Sequence, residues 1–447
     1  MTSETVFAEA LALTRLWCAI PSVRGNDAAM RAQADALVGW MQSDLGAKII
    51  ARTPARGRAE VLHARIDIGA PRTVILYNMY DVMPAQREGW SVDPWEGGIR
   101  DLPGVGESYI ARGAENNKGP LAGMLCVLKA LVTSGRLGVN VEILLDGEEE
   151  NGSGGMRAYL EAPDCPVRPS AAAIFPSFCE YGGGPPRVYL GFSGIARGAV
   201  VVEGGAWGGP KTAIHSSNAP WIANPAARLV EALGRIGTAP TGTLGQITLD
   251  DAAAGITAKL AETFDPAAEL RFRNTECFAV AGDALALLSH VLTTASFNIS
   301  RIETQPAAGE GVIPQGARAG FELRAPPGLD PADYLARIAE DLTRLPGARL
   351  ELDDSYPGTR FGAETPGVAA LLAAYAESAA QPPQIWPWAI GAAPGYAFAR
   401  HARSFLLAGA GRGGNAHGID EFMTLEGYRR FLTSVELWLV AMAEGAR

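Results

Sequence analysis

The sequence predicts an α/β protein, a mostly parallel sheet covered by helices, interrupted by a smaller α+β unit. Three observations carry this. Short apolar runs alternate with helical periodicity up to about residue 190 and again after residue 356. Between those points the pattern turns to longer alternating runs. The length, 447 residues, exceeds what one hydrophobic core serves, so two domains are expected. Residues 1–190 and 356–447 are expected to form one discontinuous α/β domain, with 191–355 inserted as a lid or dimerisation domain.

The elements follow in chain order. Residues 5–20 and 28–43 read as amphipathic helices around the turn "IPSVRGN". Strands are expected at 60–67 and 73–78, and a helix over "NKGPLAGMLCVLKALVTSG", which has Gly near its end. "VNVEILLDG" is a buried strand closing on acids, and "AAAIF" is a short strand ending at Pro176-Ser177. Such near-continuous apolar runs belong to parallel sheets buried on both faces. "YLGFSGIARGAVVVEGG" then alternates as an exposed antiparallel strand would. A helix over "NPAARLVEALGRI", strands near 296–303 and 317–324, a helix at 330–343 and the strand "ARLELDD" complete the insertion. The α/β pattern resumes with a helix at 366–379, the strand "SFLLAGAG" and a last helix from Leu425.

Composition narrows the function. A formal net charge of -10 without basic clusters argues against nucleic acid and anionic membrane as partners. The N-terminal stretch has an acid where a signal peptide needs base, and no run approaches membrane-spanning length. Five cysteines without CxxC pairing fit a reduced, cytoplasmic protein.

Chemistry-bearing residues follow the strand ends: Met79-Tyr80-Asp81, then Glu148-Glu149-Glu150 with "NGS", then Pro176-Ser177, then "NAHGIDE" with His417. "ARGAENNKG" precedes the helix at 119–133. These points are expected to meet at the carboxyl edge of one sheet, where open α/β sheets bind ligands. In order and wording the segments "MYDVMP", "RGAENNKG", "EENGS", "FPS" and "NAHGIDE" resemble metallopeptidase family 20, the group of aminoacylases, glutamate carboxypeptidases and desuccinylases. The resemblance runs from "IPSV" to the last helix.

It implies two zinc ions bridged by one aspartate, and here the chain departs from the pattern. Carried over position by position, Met79 and Ser177 stand where the first metal's histidine and aspartate would be. Asn116 replaces the bridging aspartate, and only Glu150 and His417 remain of the second site. A thioether suits copper(I) rather than zinc, and neutral oxygens cannot hold two dications together. No cofactor is therefore expected, and at most one zinc or similar divalent ion at Glu150 and His417.

The rest of the implied machinery stays. Glu149 matches the general base and Asp81 the orienting acid, whose histidine partner is now Met79. His215 matches a histidine lent to the substrate's oxyanion, across a dimer interface in many members. Asn298 and Arg324 match substrate contacts, with Arg324 for a carboxylate, and Gly391 lies where the family has a Gly-Gly turn. Trp207, Trp386 and Trp388 are candidates for an apolar subsite, while His63, His290 and His401 match nothing. Without dications, facing carboxylates must share a proton, which raises at least one pKa.

Three readings follow. The first is a hydrolase of an amide or other C–N bond in a small N-acyl amino acid or peptide, acting with one metal or none and as a homodimer. The second is a metal-independent enzyme of another type, such as amide-bond formation, acyl transfer or isomerisation. The third is a non-catalytic binder of such ligands.

Overall fold

A computed structural model of the chain describes residues 3–54, 59–236, 242–305 and 311–444. Its central sheet runs, among the described residues, in the order Lys48–Pro54, Glu60–Ile66, Asn140–Asp146, Thr73–Met79, Ala172–Pro176 and Phe405–Ala408. The first two strands join antiparallel, and the pairings from Asn140–Asp146 onward are parallel. The parallel strands are mostly apolar because both faces are covered: every residue of Asn140–Asp146 and of Ala172–Pro176 is buried, Asn140, Glu142 and Asp146 included.

The helices Glu4–Cys18, Lys118–Thr133 and Leu425–Glu444 share one apolar cluster with the sheet. Asn26 caps the helix Asp27–Ser43, its Oδ1 accepting from the Ala29 N–H at 3.3 Å. The helix Lys118–Thr133 is apolar almost all round, as a helix sandwiched between others must be. Gly123 packs against the terminal helix so tightly that a Cβ there would lie 2.8 Å from the Leu432 side chain.

The second sheet is antiparallel, in the order Thr243–Gln246, Thr294–Gln305, Gly316–Ala325, Gly191–Glu203 and Ala348–Tyr356. Helices Pro225–Arg235 and Pro331–Thr343 close its core. The expectation of an exposed strand after residue 190 is corrected here. Gly191–Glu203 is paired on both edges and buried at all but two positions. Its glycines and alanines imitate the polar half of an alternating pattern, yet serve close packing: a Cβ on Gly198 would lie 2.1 Å from the Glu351 carbonyl.

Helices Asp251–Ala261, Pro266–Phe272 and Ala284–Thr293 belong to the same stretch of sequence. Ala253, Leu260, Leu288 and Leu292 nevertheless share an apolar cluster with Tyr77, Met79, Phe175 and Phe405 of the central sheet. Chain between the two halves of the first unit thus lies against that unit's sheet. Arg157 of the helix Gly154–Glu161 adds a second tie: its Nη2 donates to both Asp354 carboxylate oxygens, at 2.6 and 2.7 Å, and its guanidinium lies 4.7 Å from the Tyr356 ring centroid.

Candidate active site

The strand Thr73–Met79 delivers Asp81 to the sheet's carboxyl edge, and Asn140–Asp146 delivers the turn Glu149–Asn151 beside it. The buried Asp81 carboxylate accepts the backbone N–H of Glu149 at 3.1 Å and of Glu150 at 3.2 Å. It therefore orients the acid turn, and Met79 is left to the apolar cluster of the sheet. Burial, then the charges of Asp146, Glu150 and Glu149, push the Asp81 carboxyl well above the usual range.

Glu149 is pushed up to about 8 by burial, by Glu150 and by Asp146, with Arg197 opposing. Asp146 below is raised to about 6, mainly by burial. The expected proton sharing among these carboxylates agrees with the direction of the shifts.

Glu150, Asn116 and His417 meet as a triangle. Asn116 Nδ2 donates to Glu150 Oε1 at 2.8 Å and lies 3.0 Å from His417 Nε2. His417 Nε2 is also 3.0 Å from Glu150 Oε2. The hydrogen bond with Glu150 raises the imidazole above its usual pKa, which favours the imidazolium, donating from Nε2.

On the other side of Asn116 the polar groups satisfy one another. Asn117 Nδ2 donates to Asn78 Oδ1 and to the Pro176 carbonyl, each at 2.8 Å. Asn78 Nδ2 also reaches that carbonyl at 3.1 Å, and Ser177 Oγ donates to Asn117 Oδ1 at 3.2 Å. No group of three or more His, Cys, Asp or Glu side chains among the described residues could hold a metal ion.

Glu421, in the last motif, had no separate reading from sequence. It is buried, and its Oε1 accepts the N–H groups of Gly113, Glu115 and Asn116 at 3.1, 3.0 and 2.8 Å. Its Oε2 accepts from Arg112 Nη1 at 2.5 Å. Glu421 thus fixes the loop that carries Asn116. The signal was available in the final acid of "NAHGIDE", four residues after His417.

A cleft of about 640 Å³ opens beside Glu149. Its walls come from the strand ends (Glu149, Phe175), the inserted sheet (Ser296, Arg324), the helices around Phe272 and His290, and the short strand Ala389–Ala392 holding Ile390 and Gly391. Glu149, Arg324 and Gly391 are therefore brought together. Asn298 is exposed and does not line this cleft. His215 is also exposed, and its ring bonds to Ser217 within its own loop. Trp386 and Trp388 are core residues, while Trp207 donates to the Glu203 carbonyl, and none lines the cleft. Of the histidines without a match, His63 is buried against Glu142 and Tyr159, His401 bonds to the Leu160 carbonyl, and His290 enters the cleft wall.

An acid turn at a parallel-sheet edge, with an inserted antiparallel sheet, defines a two-sheet α/β architecture, and solved structures share that fold. An M20 family metallo-carboxypeptidase from Sulfolobus solfataricus superposes with a TM-score of 0.84 at 22% identity, over 98% of this chain and 99% of that one. The dipeptidase Dug1p of Saccharomyces cerevisiae gives 0.79 at 19% identity, over 99% of both chains. The chain belongs to Peptidase family M20/M25/M40, whose model matches residues 75–441. Among curated proteins it is similar to the Cys-Gly metallodipeptidase DUG1 of Candida albicans, 27% identical over 278 residues, which are 58% of this chain and 54% of that protein. A shorter stretch is similar to the Beta-Ala-His dipeptidase of Rattus norvegicus, 41% identical over 83 residues, 18% of this chain and 16% of that protein. The match spans about half the length of the DUG1 relatives or less. No helix among the described residues is long and apolar enough to cross a membrane.

Proposed function

We propose that the protein cleaves an amide or other C–N bond in a small peptide-like substrate bearing a carboxylate, without the metal pair implied by the family resemblance. One observation carries this reading: Glu149 and Arg324 line the same cleft. Arg324 holds the substrate carboxylate as a charge-assisted pair. Glu149, ionised above about 8, takes a proton from water and returns it to the leaving nitrogen. Asp81 orients Glu149 through the backbone N–H it accepts. His417, favoured as imidazolium, offsets the acid turn's charge through Glu150. His215, exposed on the inserted unit, is the group a second copy would lend to the substrate's oxyanion.

The residues present do not fit a pair of dications. Met79 is packed in the core, and Asn78, Asn117 and Ser177 spend their polar atoms on each other and on Pro176. The Asn116 amide nitrogen is a donor, aimed at the Glu150 oxygen that a cation would need. Glu150 and His417 hold at most one divalent ion, and no step above uses it. The names of the DUG1 and Beta-Ala-His relatives, both dipeptidases, support a peptide-like substrate.

The test is turnover of a panel of dipeptides and N-acyl amino acids by protein purified without added metal, with its metal content measured. Hydrolysis that survives a chelator and is lost in Glu149→Gln is expected. Two tightly bound zinc ions per chain would overturn the metal-independent mechanism. Binding of the panel without turnover would overturn the assignment as a hydrolase.

A further inference from the structure

The cleft is charged against the rest of the molecule. The chain carries a formal net charge of -10. Yet the cleft lining holds one carboxylate, Glu149, against three guanidiniums, Arg187, Arg273 and Arg324, and the imidazole of His290. Positive charge concentrated in a low-dielectric cleft draws anions in from solution.

The arginines are organised around two carboxylates. Glu269 pairs with both Arg187 and Arg273. Glu322 pairs with both Arg197 and Arg324. Two guanidiniums against one carboxylate leave one formal positive charge in each group. The groups sit on different elements, the first on the helix Pro266–Phe272 with its cap and the strand Arg187–Tyr189, the second on the inserted sheet.

Within the first group the roles divide. Arg187 is an anchor: its side chain is 10% exposed and lies near the Tyr181 and Trp386 rings, at 5.2 and 4.9 Å. Arg273 is 44% exposed and bonds Glu269 Oε1 through Nε and Nη2, each at 2.9 Å. Its Nη1 has no hydrogen-bond partner among the described residues, so it is free to take an anion. His290, on the helix Ala284–Thr293, also lines the cleft, and Gln246 Nε2 donates to its Nδ1 at 3.3 Å. That bond places the ring proton on Nε2, which offers a second donor.

We propose that the cleft takes a substrate with two anionic groups, the first on Arg324 and the second on Arg273 and His290. The substrate class is then a dicarboxylic N-acyl amino acid or a dipeptide with one acidic residue. This rests on the reading of Arg324 as the carboxylate anchor, and it names the substrate class that reading leaves open.

Equilibrium binding tests it with two matched probe pairs: N-acetyl-glutamate against N-acetyl-glutamine, and N-succinyl-alanine against N-butanoyl-alanine. Within one pair the dianionic probe is expected to bind roughly tenfold more tightly or better, as a charge-assisted hydrogen bond provides. That ratio should collapse in Arg273→Met, narrow in His290→Gln and partly return in Arg273→Lys, with melting curves reporting folding. A ratio near one in both pairs overturns the proposal, as does a ratio unchanged in both Arg273→Met and His290→Gln. Binding is read without turnover. A large, Arg273-dependent ratio without hydrolysis therefore defeats only the hydrolase assignment, and hydrolysis of single-carboxylate substrates with no ratio defeats only the second subsite.

Discussion

Asn116 donates its side-chain amide to Glu150 Oε1 at 2.8 Å. At this position the family pattern calls for a carboxylate shared by two cations, and here a neutral donor quiets the acid instead. Asn116→Asp should replace that hydrogen bond by carboxylate repulsion. We expect a loss of about 1.5–3 kcal/mol, the usual range for a hydrogen bond to a charged group, read from denaturant unfolding in chelator. Adding Met79→His and Ser177→Asp should raise zinc affinity above that of the unchanged protein; no gain by calorimetry would count against the position-by-position correspondence.

Glu149 should govern the pH profile. Its carboxyl is held at about 8, so the basic form required for proton abstraction grows as pH rises through that value. Measured in chelator, kcat/KM should climb between about pH 7 and 9 and then level. Glu149→Gln should lower it by about 10²–10⁴-fold, the typical share of a general base. A flat profile would remove Glu149 from that role.

The same burial works against stability at high pH. Glu149 and Asp146 have folded pKa values raised to about 8 and about 6, above their unfolded values of 4.5 and 3.8. The unfolded chain releases these protons first, so their contribution is complete below the unfolded pKa values and is lost as pH rises through the folded ones. Unfolding free energy should therefore decline from about pH 4 to pH 8, and Asp146→Asn should remove the part of that decline contributed between about pH 4 and 6.

Glu421→Gln removes charge from an acceptor of three backbone N–H groups and leaves the buried Arg112 without its carboxylate, facing only the His417 and Gly418 carbonyls. Breaking a buried pair in this way costs about 3–5 kcal/mol. Thermal melting should show this as a large drop in Tm, with the loop 112–116 the first to lose amide-exchange protection.

Arg157→Met should loosen the tie between the acid turn and the inserted sheet. Arg157 grips Asp354 and also donates through Nε to the Gly152 carbonyl at 2.9 Å. Gly152 has φ +93°, and a Cβ there would lie 2.6 Å from Asp354 Oδ2. We expect a KM increase for the best panel substrate with a smaller change in kcat, since cleft walls move and Glu149 stays. An equal fall in kcat alone would place the effect on the acid turn.

The architecture was legible wherever a strand is buried on both faces. "TVILYNM", "NVEILLD" and "AAIFP" read as parallel strands because no solvent face dilutes their apolar run. The strand Gly191–Glu203 was legible as antiparallel and misjudged as exposed, because small residues that permit close packing look like a polar alternation. Helices Asp251–Ala261 and Pro266–Phe272 left little trace: each is short and held by contacts that the linear sequence does not display, the first by the apolar cluster of Ala253 and Leu260, the second by the Glu269 pair with Arg187 and the Phe272 ring against Tyr181.

The sequence by itself determined the family, through motifs whose order and strand-end placement survive the loss of individual letters, and it determined which polar atoms are available at Met79, Asn116 and Ser177. Only the tertiary structure decided what those atoms do: that Asn117 and Ser177 close a neutral network, that Asn116 faces Glu150, and that Arg273 and His290 join Arg324 around one cleft. The reason is range. Motifs record local chain geometry, while the field in a cleft is the sum of charges brought together from helices and strands far apart in sequence.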